Sequence, residues 1–343
     1  MQRWMLITVV VLLISACDTR TEYFVGDSSD TRARELFEIA HEEPDPTVRA
    51  IAIERLAGHL LTDSGPNVLN SYLTTYVEQN PEDPYGALYL YLVAQNHLDR
   101  NAPQFARYYF ERVLHDYDDL QHRGRSLHLE ATRQLIRITH SPAKRVSYHR
   151  RLLDQFSDSI DRGLAHYRLA ETYEELGEWE AAYEAYREFL RYPESSVPGR
   201  PNAHRDIAAR RAFYDSSKDW TVDSLEELRR GITWALANKN ERALLQYQAG
   251  VNFFTRSWEQ DFEDPNVSGF WDIGEILRLT RRLTIDPIAD LDEDGDEAYL
   301  RTFGWGALRL RTWYLYFRRV HFPADPEIHE TWEWAGVFLG ERF

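Results

Sequence analysis

Two residue marks recur along the first two-thirds of the chain, and they constrain its fold more than any other feature. A small residue stands at Ala57, Ala94, Ala131 and Ala170, with gaps of 37, 37 and 39. An aliphatic residue stands at Val77, Leu114, Leu153 and Leu190, with gaps of 37, 39 and 37. The two marks keep step, 20, 20, 22 and 20 residues apart in successive units. A tyrosine precedes the second mark by five residues at Tyr72, Tyr109 and Tyr148, and Pro81, Asp118, Ser157 or Pro193 follows in the next turn. Between the marks, apolar residues fall three and four apart, the spacing of an amphipathic helix. A helical pair with one apolar face cannot bury that face alone, but stacking pairs at a fixed step can. The small residue then lets neighbouring helices approach. An irregular helical bundle is the other arrangement open to such a pattern.

The clearest unit is "LAHYRLAETYEELGEWEAAYEAYREFLRYPES", residues 164–195. Ala170 falls where two helices touch, Gly177 permits the turn, and Trp179 and Ala182 open the second helix. Tyr186 and Phe189 face inward, and Pro193 ends the unit. This stretch resembles a tetratricopeptide repeat. The other three units lack the turn glycine, and their period exceeds the usual one of about 34. The resemblance implies an α-solenoid over roughly 31–215. It also implies a peptide-binding groove on the inner face of the first helices, which in this unit means Leu164, Tyr167, Glu171, Glu174 and Glu175. An acidic groove of that kind favours a basic peptide. The same glutamates also suit an ordinary solvated helix face.

The N-terminus carries an address. After Arg3, the run "WMLITVVVLLI" at residues 4–14 is almost wholly apolar, and Ser15, Ala16 and Cys17 follow. Charge, a short apolar core and small residues make a secretory signal, and the core is too short to span a bilayer, which takes about 20 apolar residues. Ile14-Ser15-Ala16-Cys17 resembles the lipobox of bacterial lipoproteins. That implies cleavage after residue 16, acylation of Cys17, and a linker over 17–30. An ordinary signal peptide is the plainer alternative. Cys17 is the only cysteine in 343 residues, so no disulfide staples the fold. A chain anchored in this way works in the cell envelope, outside the cytoplasm, tethered to a membrane surface by its lipid.

The formal charge is −16, from 56 acidic and 40 basic residues. Nucleic acid is not an expected partner, because phosphate binding wants a basic surface.

From Val251 onward the pattern changes, and six of the ten tryptophans lie there. "ALRLRTWYLYFRRVHF" at 307–322 and "TWEWAGVFLG" at 331–340 alternate in the manner of strands and are expected to pair antiparallel. The second run is expected to place Trp332, Trp334 and Phe338 on one side. "VNFFTRSW" at 251–258 is a third candidate strand and "WDIGEILRLTRRL" at 271–283 a helix. The fold class expected is therefore mainly α, a tetratricopeptide-like solenoid followed by a small α+β domain over 222–343. An NTF2-like or cystatin-like roll is the specific architecture expected of that domain.

Candidate chemistry is sparse. In "DLDEDGDEAYLR", residues 290–301, Asp290, Asp292 and Asp294 alternate ahead of Gly295, as in the first half of a calcium loop. The second half fails, with Arg301 where a bidentate glutamate belongs. A structural Ca²⁺ site and a solvated acidic turn are the two readings. "HETWE" at 329–333 has Glu333 where a zinc helix needs its second histidine. His122, His128, His140 and His149 sit in arginine-rich helices and read as surface groups. No nucleophile elbow or phosphate loop occurs, so the chain is expected not to be an enzyme and to need no cofactor. The function expected is a lipid-anchored scaffold binding envelope proteins or peptides. The alternative is a ligand-binding accessory lipoprotein of a solute transporter, with a pocket in the tryptophan-rich domain.

Overall fold

The computed structural model describes residues 31–258, 272–286, 290–292, 295–306 and 310–341. The chain is mainly helical, with a small sheet toward the C-terminus. It divides into two compact units between Thr172 and Tyr173.

The first unit is built of consecutive helices: α1 (Thr31–Glu42), α2 (Pro46–His59), α3 (Pro66–Gln79), α4 (Gly86–Asp99), α5 (Pro103–Asp116), α6 (Leu127–Ile138) and α7 (Pro142–Gln155). α8 (Arg162–Leu176) contains the division. A π turn, Leu60–Ser64, extends α2, and a two-stranded hairpin, β1 (Gln121–His122) with β2 (Arg125–Ser126), precedes α6. Helix starts are chemically marked. Proline opens α2, α3, α5 and α7 at the first turn, where its missing N–H costs no hydrogen bond. Asp45 caps α2 by accepting from Thr47 N at 2.8 Å, and Ser126 caps α6 by accepting from Leu129 N at 2.9 Å.

The ends of α4 and α8 share one device. Asn101 takes a left-handed φ of 54° and Gly177 one of 74°. Ala102 N then donates to His97 O, and Glu178 N to Tyr173 O, each five residues back. The asparagine does what the glycine does, since both tolerate that conformation. The other helical pairs turn differently: α2 leaves its π turn through Gly65 at φ 90°.

α1 packs on α2, α3 on α4, and α4, α5 and α6 each on the helix that follows; α2 and α3 both meet the π turn between them, and α4 also meets α6. Ala57, Ala94, Ala131 and Ala170 are all buried. Val77 and Leu114 are buried too, but in the third and fourth pairs the enclosed residues are Leu152 and Phe189. Leu153 and Leu190 are only half-buried, so the second mark is off by one there. The reason is local phase. Val146, His149 and Leu152 make one stripe at a spacing of three along α7, and Leu153 falls beside it. That stripe also encloses His149, and His128 is buried on α6. Neither is the surface group that its arginine-rich neighbours suggest.

The turn before α4 is tied down by a buried carboxylate. Asp83 accepts from Arg49 Nε at 3.1 Å, Tyr76 Oη at 2.9 Å and Tyr85 N at 2.9 Å.

The second unit continues with α9 (Trp179–Phe189), α10 (Ala203–Asp215), α11 (Leu225–Ala237), α12 (Glu241–Leu245) and α13 (Ile273–Leu279). Its strands are β3 (Phe254–Ser257), β4 (Thr284–Ile285), β5 (Asp290–Leu291), β6 (Glu297–Phe303), β7 (Thr312–Arg319) and β8 (Trp332–Leu339). The sheet order is β3-β8-β7-β6-β4, with β5 also paired to β6. β7 and β8 are antiparallel neighbours, and β3 runs parallel to β8.

One face of the sheet carries Trp313, Leu315, Phe317, Trp334 and Val337 against Leu228, Ile232 and Leu236 of α11 and Ile276 of α13. The other carries Tyr299, Tyr314, Tyr316 and Phe338, with Phe254 and Trp258 alongside. Phe338 is thus opposite in face to Trp332 and Trp334, contrary to the expectation from alternation. The cause is a bulge at Ala335. Tyr316 pairs with Gly336, yet Phe317 pairs with Trp334, so one residue of β8 is unmatched. An extra residue inverts the side-chain phase beyond it. Tyr183 of α9 and Phe213 of α10 share a further cluster with Trp220, Val320 and Phe322, which joins these helices to the sheet.

Candidate functional site

The residues expected to line a groove on α8 are placed as follows. Leu164 is half-buried, and Tyr167 is buried at 1% exposure. Glu171 pairs with Arg168 at 2.7 Å, and Glu174 pairs with Arg210. Glu175 is exposed. Glu171 and Glu174 are thus answered by arginine, which weakens the field a basic peptide would meet.

Cys17 and the rest of residues 1–30 lie outside the described residues, as does Asp294. Asp290 stands in β5. Asp292 shapes the turn into β6: its Oδ1 accepts from Glu297 N at 3.0 Å, and Gly295 takes φ 75°. Asp296 pairs with Arg319 at 3.4 Å and His321 at 2.9 Å. Among the described residues, no group of three or more His, Cys, Asp or Glu is poised to hold a metal ion.

Two other places gather interaction chemistry. The first is on α5 and α7. Phe105 and Tyr108 are 54% and 55% exposed. They are held in place, because His97 of α4 stacks between Phe105 and Tyr109 at centroid distances of 5.3 and 5.5 Å. Burial, with Arg100 nearby, lowers the His97 pKa and favours the neutral ring. Tyr109 in turn meets Tyr108 edge-on at 5.1 Å. Beside them runs a groove of about 400 Å³ lined by Tyr108, Glu111, Arg112, Leu114, Tyr148 and Arg151 among others. Tyr148 Oη donates to Glu111 at 2.7 Å, and Arg112 pairs with Asp116 at 3.0 Å. Burial and the Glu111 carboxylate raise the Tyr148 pKa, so the phenol stays a donor.

The second is a cleft of about 320 Å³ in the second unit, between α9, α10 and the end of β7. Trp179, Tyr183, Phe213 and Phe322 give it aromatic walls, and Arg210, Arg318, Arg319, His321, Asn252 and Glu333 give it polar ones. Glu333 is 1% exposed. Its Oε1 accepts from Arg318 Nε at 2.6 Å and its Oε2 from Trp220 Nε1 at 2.7 Å. Behind the aromatic wall, Lys218 Nζ lies 5.1 Å from the Phe322 ring and 5.6 Å from that of Phe213, and donates to Tyr214 O and Ser216 O. Burial lowers the Lys218 pKa, opposed by Asp325 and Asp215.

The described C-terminal tryptophans do not line this cleft. Trp313 and Trp334 are fully enclosed, and Trp305 stacks on Trp313 at 4.4 Å within the same core. Sequence reasoning missed the groove and the cleft, since both depend on which helix face is left uncovered. The "FARYY" run at 105–109, aromatic on more than one helix face, was the available signal for the groove.

No family model matches the chain, and no curated protein does. Among the described residues, no helix is long and apolar enough to cross a membrane.

Proposed function

We propose that this chain is a lipid-anchored platform of the bacterial cell envelope that binds protein or peptide partners through tetratricopeptide-like repeats. In this reading the helical pairs at a step of 37 to 39 residues stack as a solenoid. The C-terminal sheet and its helices form an NTF2-like or cystatin-like roll, and acylated Cys17 holds the whole at a membrane surface, firmly once two or more chains are attached.

The observation that carries the reading is the exposed Phe105–Tyr108 pair beside the α5–α7 groove. Exposed aromatics buttressed by a stack, with arginine close by, are the residue types that dominate binding energy at protein interfaces. The groove's charges are mixed: Glu111 and Asp116 stand beside Arg112 and Arg151. The partner segment it suits is an apolar anchor flanked by charges of both signs, rather than a uniformly basic peptide.

The test is site-specific photo-crosslinking in intact envelopes, with a photoreactive residue at position 108 and, as control, at exposed Arg150. A discrete adduct from 108 alone, abolished by Phe105→Ser, is expected. Equal labelling from both positions would remove the groove from the account. Metabolic labelling with a palmitate analogue, lost in Cys17→Ala, tests the anchor separately.

A further inference from the structure

The geometry points to the cleft of the second unit as a binding site for a small carboxylic acid that carries a hydrogen-bond donor and an aromatic or branched apolar group. This is independent of partner binding by the helical repeats.

Arg318 stands in the cleft wall. Its Nε is committed to Glu333, which is itself enclosed and held from the other side by Trp220. Neither η nitrogen of Arg318 is bonded to a described residue, and the side chain is 38% exposed at the cleft wall. The other cations there are occupied. Arg210 pairs with Glu174, Arg319 with Asp296 and Glu330, and His321 with Asp296. Arg318 is therefore the cation with an open fork. A guanidinium fixed through Nε presents two parallel N–H groups in one plane, which matches the two oxygens of a carboxylate.

Glu333 offsets the charge of Arg318, so attraction at long range is small. Recognition then rests on geometry. Because the buried carboxylate holds the fork in position, little side-chain freedom is lost when a ligand docks.

Asn252 supplies the second polar contact. Its Nδ2 donates to Ala209 O at 2.9 Å, which leaves Oδ1 as an acceptor at the cleft. An amide N–H or a hydroxyl next to the ligand's carboxylate suits it. Phe213, Phe322 and Tyr183 provide the apolar wall. A volume of about 320 Å³ is at the small end of ligand sites and excludes a folded partner. The shared chemistry has two sources: a free N-acylated or hydroxylated acid, or the C-terminal residue of a peptide.

The experiment is calorimetric titration of the full chain with N-acetyl-L-phenylalanine, its methylamide, and a hexapeptide ending in free phenylalanine. The acid is expected to bind, with the methylamide weaker by tenfold or more, roughly the effect of losing one charge-assisted hydrogen-bonded pair. Arg318→Lys keeps a cation beside Glu333 but loses the fork. It is expected to weaken the acid by about tenfold and leave the methylamide unchanged. Tighter binding of the hexapeptide than of the single residue assigns the site to chain termini, and equal binding to free acids. If the acid and the methylamide bind alike, or neither free-carboxylate probe binds, the proposal fails. The ligand-side comparison stands even if the variant loses stability.

Discussion

The Trp220 indole donates to the Glu333 carboxylate at 2.7 Å, closing a loop of 113 residues around the second unit. The bond joins the segment before α11 to β8, and Glu333 passes the constraint on to Arg318. Removing the indole N–H by Trp220→Phe should cost about 1–3 kcal/mol, the range for an unmade buried hydrogen bond. Glu333→Leu should cost at least as much, because it leaves the indole unpaired. The double variant should cost less than the sum, by about 1 kcal/mol or more in a urea-unfolding cycle. Strict additivity would mean the bond is not formed in solution.

His149 should make stability depend on pH. Burial, with Arg145 and Arg168 adding to it, lowers its pKa from 6.5 to about 4. The unfolded chain therefore takes up the proton first as pH falls. Stability from the neutral ring is full above about 6.5 and is lost progressively on acidification toward about 4, with no further loss below. The total is on the order of 3 kcal/mol. Comparing wild type with His149→Leu at pH 7.5 and 4.5 isolates this from the titrating carboxylates, and the variant should fall less steeply.

Asp83 is buried with Arg49 and Tyr76 as its partners. Asp83→Ala strands both, and such losses cost about 3–5 kcal/mol. Denaturant midpoints of the variant should drop accordingly, while Asp99→Ala, at the end of α4, should stay within about 0.5 kcal/mol.

Ala131 of α6 is fully buried at the second-to-third pair contact. Ala131→Leu has no room to accommodate three more carbons and should cost about 1–3 kcal/mol by overpacking. A thermal melt that does not move would show slack between these helices.

Phe105→Ser should behave in the opposite way. The side chain is more than half exposed, so the melting curve should stay close to wild type while crosslinking from position 108 disappears.

The helical period was legible because burial forces it: all four alanine marks are enclosed. The phase within a helix was less so. Leu152 and Leu153 are adjacent and chemically alike, and only the stripe through Val146 and His149 decides between them. The prolines carry a stronger signal. Pro66, Pro103 and Pro142 open α3, α5 and α7 at gaps of 37 and 39, the same gaps as the second mark, and Trp179 opens α9 after a further 37. Proline at a helix start is dictated by backbone chemistry, so it fixes boundaries better than a common aliphatic can. In the sheet unit, β6 follows the acidic turn and carries a weak strand signal, because Glu297 and Arg301 interrupt its apolar run. The Arg318–Glu333 pair was not legible at all. In sequence Glu333 is merely the residue that spoils a zinc motif, and its partner is fixed by strand register.

The unmatched Ala335 gives β8 a tolerance for length that its neighbour lacks. A chain shortened by that one residue keeps Gly336 opposite Tyr316 and Trp334 opposite Phe317, so the sheet closes up with every cross-strand partner retained. In β7, which is paired on both sides, the same loss would swap aromatic and aliphatic layers along half the strand. Among descendants of this sequence, single-residue deletions in the sheet should therefore collect at position 335.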